Sequence, residues 1–238
     1  MYSNRRIKKK NIFLQDEINK LKSENKSLKK NFLDFKNEII QEINNLKKII
    51  EKNKLKDISK DSKIIRNIND INFIFKRLKM VKLNNNNKEN ININLNLLYR
   101  ATKDGGMAKD FHSKCDKYNN TLVLVETKKG LRFGGFTTKT WEGEEIDKED
   151  KNAFCFSLDK MKIYNSIKGK AAIFSSPSSG PTFENCIFEI KDNCFESGGM
   201  CSDDSGDYYD NQESKYEINN GEEEFEVKEV EVLEVIYE

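Results

Sequence analysis

The chain has 238 residues, of which 34% are charged and only 36% belong to the apolar set. This apolar share is low for one uniformly packed globule of that length, so part of the chain should build no core. The formal net charge of +2 hides an asymmetry, with 24 Lys and Arg against 11 Asp and Glu in residues 1–90 and 18 against 29 in residues 91–238, which predicts two units with different surfaces.

The first predicted element is a long helix with an apolar repeat. Alternating steps of four and three residues reach 13 positions, of which ten are apolar: Ile7, Asn11, Leu14, Ile18, Leu21, Asn25, Leu28, Phe32, Phe35, Ile39, Glu42, Leu46 and Ile49. This spacing is typical of a coiled coil, so we expect residues 1–60 to self-associate. Asn11 and Asn25 favour a parallel dimer, although the chain is rich in Asn throughout. The oligomer size and the helix orientation therefore stay open.

A second apolar series follows, one residue out of register with the first. It comprises Ile64, Ile68, Ile71, Phe75 and Leu78. We assign residues 61–90 to a second helix, or to a continuation after a break, and to an Asn-rich linker. The linker either continues to residue 96 or becomes an edge strand near Ile91, Ile93 and Leu95. The Lys-rich helical face suits acidic lipid or nucleic acid, but we favour a solvated exterior and expect no specific nucleic-acid partner.

From residue 91 onward, short segments predict a domain of many strands. MAKDFHSKC (107–115) predicts one short helix, with Asp104 and Gly105 supplying a turn and an N-cap. TLVLVET (121–127) and LRFGGFTT (131–138) predict a β-hairpin. The other predicted strands are AFCFSL (153–158), KIYNS (162–166), AAIFSS (171–176), TFENCIFEI (182–190) and FEVKEVEVLEV (225–235), the last with a β-bulge near Lys228 and Glu229. The predicted fold class is α+β: mainly a β-sandwich of two antiparallel sheets with short flanking helices, plus the long N-terminal helical coiled coil.

Two adjacent glycines, Gly134 and Gly135, lie inside the second strand of the predicted hairpin. Glycine weakens the interior of a strand, so we expect another segment or ring to lie against the backbone there. The single tryptophan, Trp141, is the candidate to fill that space. A phosphate-binding role is disfavoured because no helix N-terminus follows the glycines.

No arrangement of residues predicts catalysis, a cofactor or a metal site. The five cysteines are odd in number, form no C-x-x-C pair and accompany one histidine, so reduced thiols fit better than a disulfide framework or a zinc site. His112 and Cys115 lie three residues apart on the predicted helix and could form a nucleophilic pair, but we favour a packing role. The acidic runs 142–150 and 203–210 lack the spacing of a calcium loop.

The N-terminal segment carries no targeting signal that we recognise. It is basic but lacks the apolar run of a signal peptide, and the longest apolar runs are as short as LVLV (122–125). We therefore expect no transmembrane segment. The expected location is cytoplasmic, with peripheral association at membranes left open.

Seven motifs of the second half occur in the order found in a known family: LLYRATKDG, AKDFHSKCD, TLVLVET, FGGFTTKTW, DKNAFCFSL, GPTF and EVEVLEV. From about Leu97 to Tyr237 the chain resembles the TLDc domain, the module of the oxidation-resistance proteins. The resemblance implies a β-sandwich, a role in the oxidative-stress response and binding to the peripheral part of the vacuolar-type proton ATPase. The chain departs from the family at ENC (184–186), where many members have a glycine-rich run. Residues 197–214 match no family motif, and we interpret them as a mobile acidic loop.

Three functional hypotheses follow. The leading one is a non-enzymatic interaction protein, in which a coiled coil oligomerises a TLDc domain that binds a protein partner. The first alternative is a thiol-based antioxidant enzyme that uses Cys115 with His112, and the second is a structural coiled-coil adaptor capped by the domain. We also expect residues 91–238 to fold without residues 1–90, because the predicted core lies on that side of the linker.

Overall fold

The computed structural model describes residues 2–83, 91–142, 144–184, 187–202, 208–210 and 213–238, and for residues 2–9, 51–52 and 54–61 it describes the backbone only. The chain forms two compact units, Met1–Lys54 and Leu55–Glu238. Parts of four segments singled out in the sequence lie outside the described residues: the Asn-rich linker (84–90), the acidic run 142–150 (143), the ENC segment (185–186) and the acidic loop (203–207 and 211–212).

A helix of 60 residues, α1 (Tyr2–Asp61), confirms the predicted N-terminal helix. No glycine or proline interrupts it, which removes the two residues that most oppose a helix. Nine apolar residues of the repeat, which we call the heptad stripe, are 40 to 71% exposed in the single chain: Leu14, Ile18, Leu21, Leu28, Phe32, Phe35, Ile39, Leu46 and Ile49. The side chain of Ile7 lies outside the described ones. Pairing of the stripe with a second helix stays a prediction.

The second unit is built from short elements. Its helices are α2 (Ile68–Leu83), α3 (Ala101–Asp104), α4 (Ala108–Cys115) and α5 (Cys194–Ser197), and its strands are β1 (Ile93–Arg100), β2 (Thr121–Thr127), β3 (Arg132–Thr137), β4 (Ile146–Glu149), β5 (Phe154–Ser157), β6 (Lys162–Asn165), β7 (Ala171–Ser175), β8 (Thr182–Phe183), β9 (Phe188–Ile190), β10 (Gly199–Met200), β11 (Glu224–Phe225) and β12 (Val227–Tyr237). The described strands form a first sheet, ordered β1-β12-β2-β3-β5-β6, and a second sheet, ordered β11-β10-β9-β8-β7-β4. Both are antiparallel and six-stranded, which confirms the predicted α+β class.

Strand β2 shows why the unit has three layers. Val123 and Val125 belong to the core between the two sheets. Leu122 and Leu124 alternate with them and belong to a second cluster, which lies between the other face of the first sheet and α2. A strand buried on both faces explains the continuous apolar run LVLV.

The domain includes α2, whereas the sequence placed its start at residue 91. Ile64, Ile71, Ile74 and Leu78 are all 0% exposed and pack in the cluster on the outer face of the first sheet. That face exists only after strands from both ends of the domain have assembled, so the local helical pattern could not reveal it. The buried residues therefore lie on both sides of the Asn-rich linker in sequence.

The segment 182–190, predicted as one strand, is two strands. β8 and β9 pair antiparallel, with Phe183 opposite Phe188. Residues an odd number apart face opposite sides of a single strand, yet both phenylalanines lie in the core between the sheets, so the chain must reverse between them. The predicted hairpin of β2 and β3, the edge position of β1 and the bulge near Lys228 are confirmed. Strand β4, inside the acidic run 142–150, was not predicted.

Candidate functional site

The two glycines of β3 make room for aromatic rings on opposite faces of the first sheet. A Cβ on Gly135 would lie 2.5 Å from Cε1 and 2.6 Å from Cε2 of Phe183, whose ring comes from the second sheet. A Cβ on Gly134 would collide with the carbonyl oxygen of Val123 and lie 2.8 Å from Cζ of Phe156. Side chains larger than hydrogen do not fit at either position without movement of these neighbours.

The ring over Gly135 is that of Phe183, and not that of Trp141 as the sequence suggested. Trp141 is 1% exposed and packs edge-on against Phe183, with the ring centroids 5.7 Å apart. Its Nε1 donates a hydrogen bond to Thr121 Oγ1 at 2.8 Å, and its ring also meets Phe111 of α4. No local pattern links Gly135 to Phe183, because the two lie in different sheets and far apart in sequence.

Helix α4 is capped differently from the prediction. Its N-cap residue is Met107, and Met107 N donates to Asp110 Oδ2 at 3.1 Å. Asp104 instead ends α3, where its Oδ2 accepts a hydrogen bond from Arg100 N at 2.8 Å. Gly105 does supply the turn between the two helices, with a φ of +114° that favours glycine.

His112 of α4 joins its helix to the loop that follows β7. Its Nδ1 lies 2.7 Å from Asp116 Oδ1, and its Nε2 lies 2.8 Å from Ser176 O and 3.0 Å from Ser179 O. Both ring nitrogens therefore have partners other than a thiol. Among the described residues, no hydrogen bond links His112 to Cys115.

Cys115, Cys155 and Cys194 are buried free thiols, and Cys201 is buried as well. Cys115 is 0% exposed, and burial raises the pKa of its thiol well above the ordinary value, with the carboxylates of Asp116 and Asp104 adding to the rise. Burial likewise raises the pKa of Cys155, and it raises that of Cys194 to about 12. A thiolate is the reactive form, so burial disfavours nucleophilic chemistry at these three positions. Cys186 lies outside the described residues.

The residues after α1, Ser62–Arg66, are tied to the first sheet by buried carboxylates, and we call them the anchor segment. Glu231 of β12 is 0% exposed and accepts hydrogen bonds from Ser62 Oγ at 2.6 Å and from Lys63 N at 2.9 Å. The same carboxylate accepts a hydrogen bond from Arg100 Nε at 2.9 Å. Glu231 is thus a buried charge with an opposite charge and several donors around it, the condition under which such burial is tolerated.

Two further glutamates hold the anchor segment. Glu229 accepts a hydrogen bond from Thr102 N at 3.0 Å and lies 3.5 Å from Lys63 Nζ. Glu126 lies 2.7 Å from both Arg66 Nη2 and Lys228 Nζ. Burial acts to raise the pKa of Glu126, but its hydrogen bonds and charge interactions with Lys228 and Arg66 outweigh that effect and hold it below the ordinary value.

Sequence reasoning missed these glutamates because alternating Glu and Val in a strand indicates a solvated face. Glu229 and Glu231 in fact share the face of β12 that carries Leu233 and Val235 toward α2. Arg132 on β3 plays a related part, since its Nη1 donates to Asp70 Oδ2 of α2 at 2.7 Å and to Ile64 O at 3.2 Å. Charged groups therefore surround the apolar contact between α2 and the sheet.

Exposed features of the described residues include the heptad stripe of α1 and a groove between loops that carries several lysines. The described part of the chain contains no group of three or more His, Cys, Asp or Glu residues suited to a metal ion. Within the same residues, no helix has both the length and the apolar character needed to cross a bilayer.

Comparison with known proteins gives a match that agrees with this architecture. Residues 68–236 match the family model of the TLDc domain. The match begins at the first residue of α2, in agreement with the packing of α2 on the first sheet, and it ends within β12. No curated protein matches the chain.

Proposed function

The chain belongs to the TLDc domain family, and on that premise we propose that it is a non-enzymatic interaction protein acting in the oxidative-stress response. The family is generally linked to oxidative stress. The observation that carries the proposal concerns Cys115 and His112, the candidate pair for thiol chemistry, which are not arranged as a nucleophile and its base. Cys115 is fully buried, and His112 uses both ring nitrogens on Asp116 and on backbone carbonyls.

The heptad stripe supports self-association of the chain. Its nine apolar side chains recur at the spacing of a coiled-coil seam and are exposed in the single chain. Burial of such side chains against a second helix contributes about 25 cal/mol for each Å² of apolar surface removed from water. Oligomerisation would also raise the avidity of a weak contact between the TLDc domain and its partner.

The proposed partner is the peripheral part of the vacuolar-type proton ATPase. The family resemblance supports this choice, and membership of the family is its only warrant. In this proposal α1 gathers several copies of the chain, and each TLDc domain contacts a subunit of the ATPase. The location would then be cytoplasmic and peripheral at the membrane that holds the ATPase.

Co-sedimentation of the full chain with the purified peripheral sector of the ATPase tests the proposal. The wild-type chain should sediment with the sector in a saturable manner. Leu21→Asp with Leu28→Asp should weaken retention by removing avidity, whereas Ser23→Asp with Lys30→Asp, on the helix face opposite the stripe, should leave it largely intact. An absence of co-sedimentation by the wild-type chain over the concentrations at which it oligomerises would remove the ATPase from the proposal.

The two alternatives make different demands on the molecule. A thiol-based enzyme using Cys115 with His112 needs an accessible thiolate, which burial opposes. A structural adaptor needs only the helix, and its TLDc domain would bind no partner. We observe no feature that favours either over the interaction protein.

A further inference from the structure

Three loops at one end of the sandwich form an open groove that carries four lysines. The groove has a volume of about 400 Å³ and is lined by the turn after β3, the turn between β4 and β5 and the turn between β6 and β7. Its lysines, which define what we call the lysine groove, are Lys139, Lys151, Lys168 and Lys170. All four are exposed.

None of these four lysines has a carboxylate partner among the described residues, whereas seven other lysines of the domain do. Ion pairs are formed by Lys63, Lys114, Lys128, Lys129, Lys162, Lys191 and Lys228. In the groove, Lys170 Nζ instead lies 5.2 Å from the centroid of the Tyr208 ring. The groove thus brings together four ammonium groups, on three loops, that form no ion pair among the described residues.

A buried carboxylate fixes the loops without neutralising the lysines directly. Asp150 is 4% exposed, and its Oδ2 accepts hydrogen bonds from Thr137 Oγ1 at 2.8 Å and from Thr138 N at 2.6 Å. Its Oδ1 accepts from Asn152 N at 2.9 Å. Asp150 thereby joins the turn after β3 to the turn before β5, so the lysines stand on defined loops.

The groove carries a net positive charge, whereas residues 91–238 as a whole carry a net negative charge. Residues 91–238 carry 18 Lys and Arg against 29 Asp and Glu, whereas the groove presents four lysines against two carboxylates, Glu149 and the already bonded Asp150. From this local excess, we infer that the lysine groove binds an acidic peptide segment of a partner protein. Charge complementarity of this kind steers association and selects partners.

The composition of the groove favours an acidic peptide over other anions. Its lysines are separate point charges on three loops, which suits several carboxylates spaced along a chain, and its lining residues include no Arg, whose planar fork holds a compact phosphate through two hydrogen bonds. Insertion into a membrane surface needs exposed apolar side chains beside the basic ones. The one large apolar residue lining the groove, Ile167, is partly buried.

The inference rests on the proposed function in treating the domain as a binding module. Its test uses the full chain and a deca-glutamate peptide as the probe. Because α1 is itself basic and can also bind the peptide, the binding position must be mapped. Zero-length carbodiimide cross-linking followed by mass spectrometry identifies the lysines that the peptide contacts. We expect cross-links concentrated at the four groove lysines, relative to other exposed lysines such as Lys76 and Lys103.

Variants then measure how much of the binding depends on the groove, by fluorescence anisotropy of the labelled peptide, because an alanine offers no amine for cross-linking. Substitution of all four groove lysines by alanine should weaken the affinity for the peptide about tenfold, since four ionic contacts are lost. A matched variant with alanine at Lys76, Lys79, Lys103 and Lys109 removes the same charge and should lower it less than about twofold. Thermal melts check that each variant is folded. The single variant Lys168→Glu, at an exposed turn, gives a second measurement of how the charge of the groove affects peptide binding.

Two results would overturn the inference. Equal losses in the groove variant and the matched variant would show that overall charge, and not the groove, attracts the peptide. Groove-dependent binding to phosphatidylserine vesicles without groove-dependent binding of the peptide would assign the surface to a membrane. If the peptide binds the groove but the chain does not sediment with the ATPase sector, the groove stands and the proposed ATPase partner fails.

Discussion

The ring of Phe183 lies directly over Gly135, in the position that a side chain on Gly135 would occupy. The two residues belong to different sheets, so this contact joins the layers of the sandwich at the centre of β3. Phe183 is itself 0% exposed and is held on its other side by Phe188 and Trp141. The ring has little room to move away, which explains the glycine at a strand interior.

Substitution of Gly135 should therefore be costly. Gly135→Ala should lower the free energy of unfolding by about 2–3 kcal/mol, and Gly135→Val by more, because overpacking displaces a buried ring. Gly106→Ala is a matched control, since the Cβ there would meet Phe195, which is 38% exposed and can rotate away. Urea denaturation measures both. A double variant of Gly135→Ala with Phe183→Leu should recover part of the loss, and an unchanged midpoint for Gly135→Ala alone would refute the packing explanation.

The position of α2 changes what should fold in isolation. Residues 62–238 should melt cooperatively, whereas residues 91–238 should not, because removal of α2 exposes Leu122, Leu124 and their neighbours on the first sheet. This expectation replaces the one drawn from sequence. Circular dichroism during heating, with binding of a hydrophobic dye, distinguishes the two fragments. A cooperative melt of 91–238 equal to that of 62–238 would mean that α2 contributes little to the core.

Local pattern predicted those elements whose residues are near one another in sequence. The heptad spacing of α1 and the hairpin of β2 and β3 are periodic over a few residues, so one sequence suffices. The packing of α2 on the first sheet was indicated only indirectly in the sequence. The run LVLV in β2 indicates a strand buried on both faces, but it does not show which element covers the outer face. The contact of Phe183 with Gly135 had none, because only assembly of the two sheets brings them together.

The anchor segment should depend on the carboxylate of Glu231. Glu231→Gln removes the charge that pairs with Arg100 and replaces an acceptor oxygen by a donor that faces Ser62 Oγ or Lys63 N. We expect a loss of about 2–4 kcal/mol in the free energy of unfolding, since a buried pair is broken. Glu234→Gln, three residues along the same strand and partly exposed, should cost less than about 0.5 kcal/mol. Equal denaturation midpoints for the two variants would contradict this role of Glu231.

The heptad stripe should drive self-association of the full chain. Leu21→Asp with Leu28→Asp places charges in the seam and should yield a monomer at all concentrations examined by analytical ultracentrifugation. Ser23→Asp with Lys30→Asp has the same spacing but lies on the helix face opposite the stripe, so it should leave the oligomer intact. A wild-type chain that is monomeric throughout the same concentration range would show that α1 needs a different partner.

The assignment of an interaction protein is tested most directly by peroxide turnover of the purified full chain with a thiol reductant present. Because Cys115 is buried and His112 is bonded elsewhere, the wild-type rate should not exceed that of an ordinary free thiol. Cys115→Ala and His112→Ala should leave this low rate unchanged wherever the variants remain folded. Sustained turnover by the wild-type chain that disappears in both variants would contradict the account and establish a thiol-based enzyme.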